Sequence, residues 1–167
     1  MRRYRAAMAA SPTLYLLTGL PCSGKTTYAK DLEERGVVRV SVDESMVEKL
    51  GRLGVDYDRS DHIALLEPLL MDAHQRIREL LSAGHDVVFD HGLGRRNERD
   101  AMKQLATTCG ARWELLVFDA DLSTLHARCE QRSRVPGTVP ITAEILDVLA
   151  MTWERPDGEG ETVIVTD

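Results

Sequence analysis

Short unbroken apolar runs alternate along this chain with longer stretches whose apolar residues recur every three or four positions. The first pattern belongs to strands buried on both faces of a parallel sheet, the second to amphipathic helices. The run Thr13-Leu-Tyr-Leu-Leu-Thr18 predicts a first strand. Good helix formers after Gly24 predict a helix to about Arg35, with Gly36 where a left-handed cap belongs. Residues 37–42 predict a second strand ending at Asp43-Glu44, residues 45–50 a short helix, and 51–58 a mobile connection. A long helix follows over about 61–83, with Leu66, Leu70, Ala73, Ile77 and Leu80 or Leu81 on one face. Pro68 requires that this helix either start close to it or bend. Residues 86–90 predict a third strand, 95–108 a helix, 113–118 a fourth strand, and 121–134 a helix with Leu122, Leu125 and Cys129 inward. Two prolines and a glycine make 135–140 a loop. A helix capped by Thr142 runs to about Met151, and 162–166 is a last strand.

Strand, helix and strand in that order imply a parallel pair with a right-handed crossover. The carboxyl ends of the strands then share one edge, where ligands of open α/β sheets bind. At 167 residues the chain fits one domain, taken as 12–167. Residues 1–11 read as a loose leader, because Ser11-Pro12 interrupts the apolar segment after Arg2, Arg3 and Arg5. No run reaches the roughly eighteen apolar residues of a membrane helix.

Charge narrows the partners. The net charge is −6 with both signs interspersed and no basic stripe, which disfavours duplex nucleic acid. Cys22, Cys109 and Cys129 are odd in number and lack metal-ligand spacing, so reduced thiols in a cytoplasm are the simplest reading.

The candidate chemistry begins with Gly19-Leu-Pro-Cys-Ser-Gly-Lys-Thr26, a Gly-x₄-Gly-Lys-Thr phosphate loop. A loop of backbone N–H groups followed at once by a helix N-terminus surrounds an anion with donors and a positive dipole end. Gly19, Pro21, Cys22, Ser23, Gly24, Lys25, Thr26 and Thr27 are therefore expected around a nucleoside triphosphate, with Lys25 on the β- and γ-phosphates and Thr26 on Mg²⁺. The alternative, an ordinary glycine loop, leaves unexplained why a strand-like run ends at Gly19 and helix formers open at Gly24.

Phosphoryl transfer also needs a metal, positive charge on the transferring group, and something to orient the attacking hydroxyl. Asp43 is the candidate base, against a surface acid or helix cap. Asp90, ending the third strand, is the Walker-B-type metal acid, against a turn-forming Asp. His91 is either structural or a contact to substrate or the metal shell. Arg128 and Arg132 share a helix face and Arg134 opens the loop, so residues of about 128–141 read as a lid or as a solvated basic face. Arg95, Arg96 and Arg99 begin a helix, where cations are unfavourable, and that misplacement points to substrate contact. Trp153 either walls a base pocket or plugs the core.

With these residues in place, the chain resembles the small P-loop kinases grouped with zeta toxins, chloramphenicol phosphotransferase and the kinase domain of polynucleotide kinase. The carriers are the segment from Gly19 to Thr27, Ser41-Val-Asp43, Val87-Val-Phe-Asp90 with Arg95-Arg96 beyond, Arg128-x₃-Arg132, and Trp153-Glu-Arg-Pro156. The resemblance implies a three-layer P-loop NTPase sandwich with a five-stranded parallel sheet in the order 2-3-1-4-5, a helical lid, ATP with Mg²⁺, Asp43 as general base and Arg128 and Arg132 as lid arginines. Polynucleotide kinases carry an arginine shortly after the acid matching Asp43, whereas Glu44-Ser-Met-Val-Glu48 holds none. The expected reaction is therefore ATP-dependent phosphorylation of a hydroxyl on a small metabolite, nucleoside or antibiotic. Two alternatives stand: a polynucleotide 5′-hydroxyl kinase with a basic channel at Arg95, Arg96 and Arg99, and a regulatory nucleotide-binding protein. No Asn-Lys-x-Asp motif supports a GTPase.

Overall fold

Strand β1 (Thr13–Thr18) lies at the centre of a sheet of five parallel strands in the order β2-β3-β1-β4-β5. Its neighbours are β3 (Val87–Asp90) and β4 (Arg112–Asp119), with β2 (Val38–Ser41) and β5 (Glu161–Val165) at the edges. This is the order that the resemblance implied, seen in a computed structural model that describes residues 11–51, 53, 56–135 and 141–166. The expected leader, apart from residue 11, lies outside the described residues, as do 52, 54 and 55 of the expected connection and 136–140 of the expected lid.

The period-2 geometry of the strands sorts the core into two layers. Leu14, Leu16, Val87, Phe89 and Leu115 face α3 (His62–Ser82) and α4 (Arg96–Thr108), meeting Ala73, Ile77, Met102 and Leu105. Leu17, Val88, Leu116 and Phe118 face α1 (Lys25–Glu34), meeting Ala29 and Leu32. A third, smaller cluster joins the loop after β1 to α5 (Leu122–Ser133) and α6 (Ala143–Thr152), through Leu20 and Cys22 against Leu125, Cys129 and Leu146.

Three boundaries differ from expectation for local reasons. The second strand stops at Ser41, whose hydroxyl accepts from the Glu44 N–H at 3.3 Å, so α2 (Val42–Leu50) starts three residues early and carries Asp43 in its first turn. Helix α3 runs through Pro68 from His62; Leu69 joins the buried stripe, and the proline forgoes only the bond to the Ala64 carbonyl. The last strand sits one residue earlier, at Glu161–Val165.

Candidate functional site

The phosphate loop leaves β1 at Gly19, whose φ is +143° and where a Cβ would lie 2.6 Å from the Phe118 carbonyl oxygen. Only glycine lets the chain pass β4 this closely. Gly24, with φ 98°, then caps α1. Helix α1 begins at Lys25, so its free N–H groups and positive dipole end lie at the loop. Lys25 folds across the loop, its Nζ donating to the Gly19 and Leu20 carbonyls at 2.8 and 2.7 Å. Burial lowers its pKa to about 8, while the charges of Asp90, Cys22 and Asp43 pull it upward.

Asp90 ends β3 beside this loop and is buried. Thr26 Oγ1 donates to its Oδ1 at 3.1 Å, and Arg39 Nε donates to its Oδ2 at 2.9 Å. One carboxylate oxygen thus belongs to an arginine and the other faces the loop. Arg39 reaches Asp90 because β2 lies beside β3, with Ser41 opposite Asp90. It also grips Glu44 through Nη1 and Nη2 at 3.0 and 2.7 Å, and comes within 3.7 Å of Glu33. These hydrogen bonds hold the Glu44 carboxyl below its ordinary range. The first turn of α2 is thereby tied to the acid at the end of β3, and Asp43 rides on that turn, exposed. Its charge reaches both Lys25 and His91, favouring the protonated form of each. Burial nevertheless lowers the pKa of His91, which is neutral at pH 7 and lies against Phe89 with ring centroids 5.5 Å apart.

Helix α5 approaches from the other side. The charge of Arg132 acts on Lys25, lowering its pKa. Arg128 Nη1 donates to Thr166 Oγ1 at 3.2 Å, and that hydroxyl donates to the Ser23 carbonyl in the phosphate loop at 3.2 Å. Thr166 also lines a cleft of about 160 Å³ with Asp119, Ala120, Asp121, Thr124 and Val165, where β4 and β5 end against α5. Loop, Arg128 and cleft are therefore joined through one threonine.

Other expected site residues are placed differently. Arg99 is wholly buried: Nε and Nη2 donate to Glu159 at 2.9 and 2.6 Å, and Nη1 donates to the Leu93 carbonyl at 3.2 Å. It closes the wall between α4 and the segment before β5, so the expected substrate contact is withdrawn. Arg134 is exposed and pairs with Glu130 at 2.6 Å on the outer surface of α5. The electrostatic misplacement of Arg95 and Arg96 is met locally, since Glu98 accepts from the Arg95 N–H at 3.0 Å and Glu154 from the Arg96 N–H at 2.7 Å. Arg95 remains exposed at the functional edge. Trp153 Nε1 donates to Thr18 Oγ1 at 3.1 Å, which bonds to the Leu93 carbonyl, so the indole braces the exit of β1 and does not line the cleft.

A family model for the AAA domain matches residues 14–156. The chain belongs to the AAA domain family. No curated protein sequence matches it. Among solved structures, a protein from Chloroflexus aurantiacus described as a kinase superposes with a TM-score of 0.72 at 22% identity, over 94% of this chain and 88% of the other. The Pnkp1/Rnl/Hen1 RNA repair complex gives 0.71 at 24% over 84% of this chain but 43% of the other, so the domain spans less than half of that protein. The Mycobacterium tuberculosis APS kinase CysC, in complex with AMPPNP and APS, gives 0.62 at 18% over 94% and 90%. At these identities the likeness establishes a shared P-loop α/β fold.

Within this AAA domain, sequence reasoning missed Arg39, Thr166 and Glu159, and took Glu154 only as part of the segment Trp153-Glu-Arg-Pro156. Arg39 carried a usable signal: a charge in the middle of the short strand Val-Arg-Val-Ser has to find a partner when its neighbours are buried. Thr166 and Glu159 carried none, because their partners lie far away in the chain.

Proposed function

We propose that this AAA domain is an ATP-dependent phosphotransferase that moves the γ-phosphoryl group of ATP to a hydroxyl of a small molecule. The observation carrying this reading is a convergence at one sheet edge: Lys25 in the loop, Asp90 bonded to Thr26, and exposed Asp43 within electrostatic reach of Lys25 and His91. The likeness to a kinase in complex with AMPPNP and APS supports a triphosphate at the loop.

The loop N–H groups and the α1 terminus hold the phosphates, and Lys25 turns from its own carbonyls to the β- and γ-oxygens. The nucleobase enters the cleft bounded by Thr124 and Thr166, next to Arg128. Thr26 Oγ1 and Asp90 Oδ1 are hard oxygens 3.1 Å apart, the donor type that Mg²⁺ takes. Among the described residues no group of three or more His, Cys, Asp and Glu could hold an ion alone. That fits Mg²⁺, which is held by one or two protein oxygens together with phosphates and water. Bound there, the ion would neutralise charge on the β- and γ-phosphates.

The acceptor oxygen then attacks the γ-phosphorus in line, the bond to the β–γ bridging oxygen breaks, and ADP leaves. Asp43 takes the hydroxyl proton as the new bond forms. Arg128 and Arg132 bear the developing charge. Neutral His91 offers a hydrogen bond to the acceptor, and Arg95 a contact at its outer rim. A nucleic acid end is the weaker reading, because Arg99 is committed to Glu159 and a basic channel loses one of its three members.

Incubation with ATP and Mg²⁺ against a panel of alcohols and 5′-hydroxyl oligonucleotides tests this, following ADP release and transfer of labelled phosphate. The expected result is a labelled small alcohol at a rate little affected by salt. Oligonucleotide labelling that collapses steeply with salt would transfer the assignment to nucleic acid. ADP release with no labelled acceptor would remove the transferase reading altogether.

A further inference from the structure

Cys22 is the one non-glycine residue with positive φ among the described residues, at 63°. L-residues other than Gly, Asn and Asp visit that region at a cost of about 1–2 kcal/mol. A thiol therefore stands in the phosphate loop where glycine would be easier. Its Sγ lies 2.7 Å from the Sγ of Cys129 on α5. Two non-bonded heavy atoms sit about 3.5–4.0 Å apart, and a disulfide is about 2.05 Å long. Both thiols are free, Cys22 half-buried and Cys129 buried, within the small apolar cluster that joins the loop to α5 and α6. Cys109 ends α4 and packs in the separate cluster between the sheet and α3 and α4.

We propose that Cys22 and Cys129 form a reversible disulfide, a modification site through which a peroxide closes the phosphate loop to nucleotide. The half-buried Cys22 is the sulfur that meets the oxidant. Its thiolate attacks one peroxide oxygen and the O–O bond breaks, leaving a sulfenic acid on Cys22 and releasing water once a proton is taken up. The Cys129 sulfur then attacks Cys22 Sγ; the S–O bond breaks and hydroxide leaves with the Cys129 proton as a second water. Two thiols and one hydrogen peroxide thus give one disulfide and two waters, with two electrons passing from sulfur to oxygen.

The bond would fix Cys22 against the helix that carries Arg128 and Arg132. It would also hold the loop in the arrangement in which the Lys25 ammonium is engaged by the Gly19 and Leu20 carbonyls. Entry of a triphosphate requires that lysine to leave them. The oxidised protein therefore binds nucleotide more weakly than the reduced one. The inference about nucleotide rests on the proposed function, whereas the linkage itself does not.

The test treats the full chain with hydrogen peroxide, maps disulfides by peptide mass, and titrates AMPPNP before treatment, after it, and after dithiothreitol. The expected result is a Cys22–Cys129 peptide with Cys109 still free, a loss of affinity of at least tenfold, and recovery on reduction. Because the bond spans 107 positions, the thermal midpoint without nucleotide should also rise, by roughly 5–10 °C. Cys129→Ala should bind AMPPNP as the reduced wild type does, and peroxide should give it no Cys22-linked peptide and no dithiothreitol-reversible linkage. Cys22 oxidised without linkage to Cys129, or a linked protein of unchanged affinity, overturns the proposal. Failure of the reduced protein to bind AMPPNP would overturn the proposed function, with the mass map still deciding the linkage.

Discussion

Asp90 and Glu159 are both buried carboxylates held by an arginine, yet their surroundings give them opposite uses. Glu159 spends both oxygens on cations: Arg99 takes Oε1 and Oε2 at 2.6 and 2.9 Å, and Lys103 adds a contact to Oε2 at 3.3 Å. Asp90 gives one oxygen to Arg39 and turns the other toward Thr26 in the phosphate loop. The arginines differ too. Among the described residues Arg99 has Glu159 as its one acidic partner, whereas Arg39 is shared among Asp90, Glu44 and Glu33. A closed pair with every oxygen occupied is a structural tie; a pair with an oxygen left toward a loop can serve a ligand.

The largest effect that would sharpen this contrast is on stability. Glu159→Gln leaves Arg99 buried without its counter-charge and should cost about 3–5 kcal/mol, lowering the thermal midpoint by roughly 10 °C. Asp90→Asn should cost less, because Glu44 and Glu33 remain for Arg39. Equal losses in the two variants, measured by thermal denaturation, would break the comparison.

The second effect is on function. Asp90→Asn should weaken the Mg²⁺ dependence of nucleotide binding by about 10–100-fold, the range seen when groups around a metal are removed. Any Glu159 variant that stays folded should leave it unchanged. Titration of AMPPNP across a Mg²⁺ series reads both.

Acid should separate the pairs further. Arg99 holds the Glu159 carboxyl down to about 2, far below its ordinary value. The unfolded chain therefore takes up this proton first, so the stabilisation is complete above about pH 4.5 and is lost as the pH falls from there toward 2. Midpoints measured between pH 6 and 2 should show that slope in the wild type. Arg99→Met/Glu159→Leu, which removes both charges, should flatten it.

At the loop, Lys25 near 8 predicts that nucleotide affinity falls by up to tenfold per unit above about pH 8, as the ammonium that meets the phosphates is lost. The smallest expected effect belongs to Arg95→Ala: its side chain is exposed and the helix N-terminus is capped by Glu98 and Glu154 without it. The fold should be indifferent, and the KM for the acceptor should rise only a few-fold, as for one exposed charged contact.

What the sequence could and could not say follows the same division. Gly19 to Thr26 and Val87 to Asp90 were legible because local chemistry determines them: a loop that needs glycine at a close approach, and an apolar run closed by an acid. The parallel sheet followed from the alternation of strands and helices, and its order from the resemblance. Arg99 was misread because a charge at the start of a helix looks the same whether it meets solvent, substrate or a glutamate sixty positions away. Glu159, lying in the turn before β5, gave no sign of burial. Asp43 was placed at the correct edge but on a strand end, because the Ser41 cap that starts α2 early competes with the strand pattern of 37–42. Pairings across long sequence separations are set by packing, and no local pattern records them.

The central claim is that this edge transfers a phosphoryl group with Asp43 accepting the proton. It is tested most directly by following labelled γ-phosphate into the acceptor with the wild type and with Asp43→Asn, while AMPPNP affinity is measured on the same samples. The account predicts turnover reduced by about 10²–10⁴-fold with nucleotide affinity unchanged. Undiminished transfer by Asp43→Asn would contradict it.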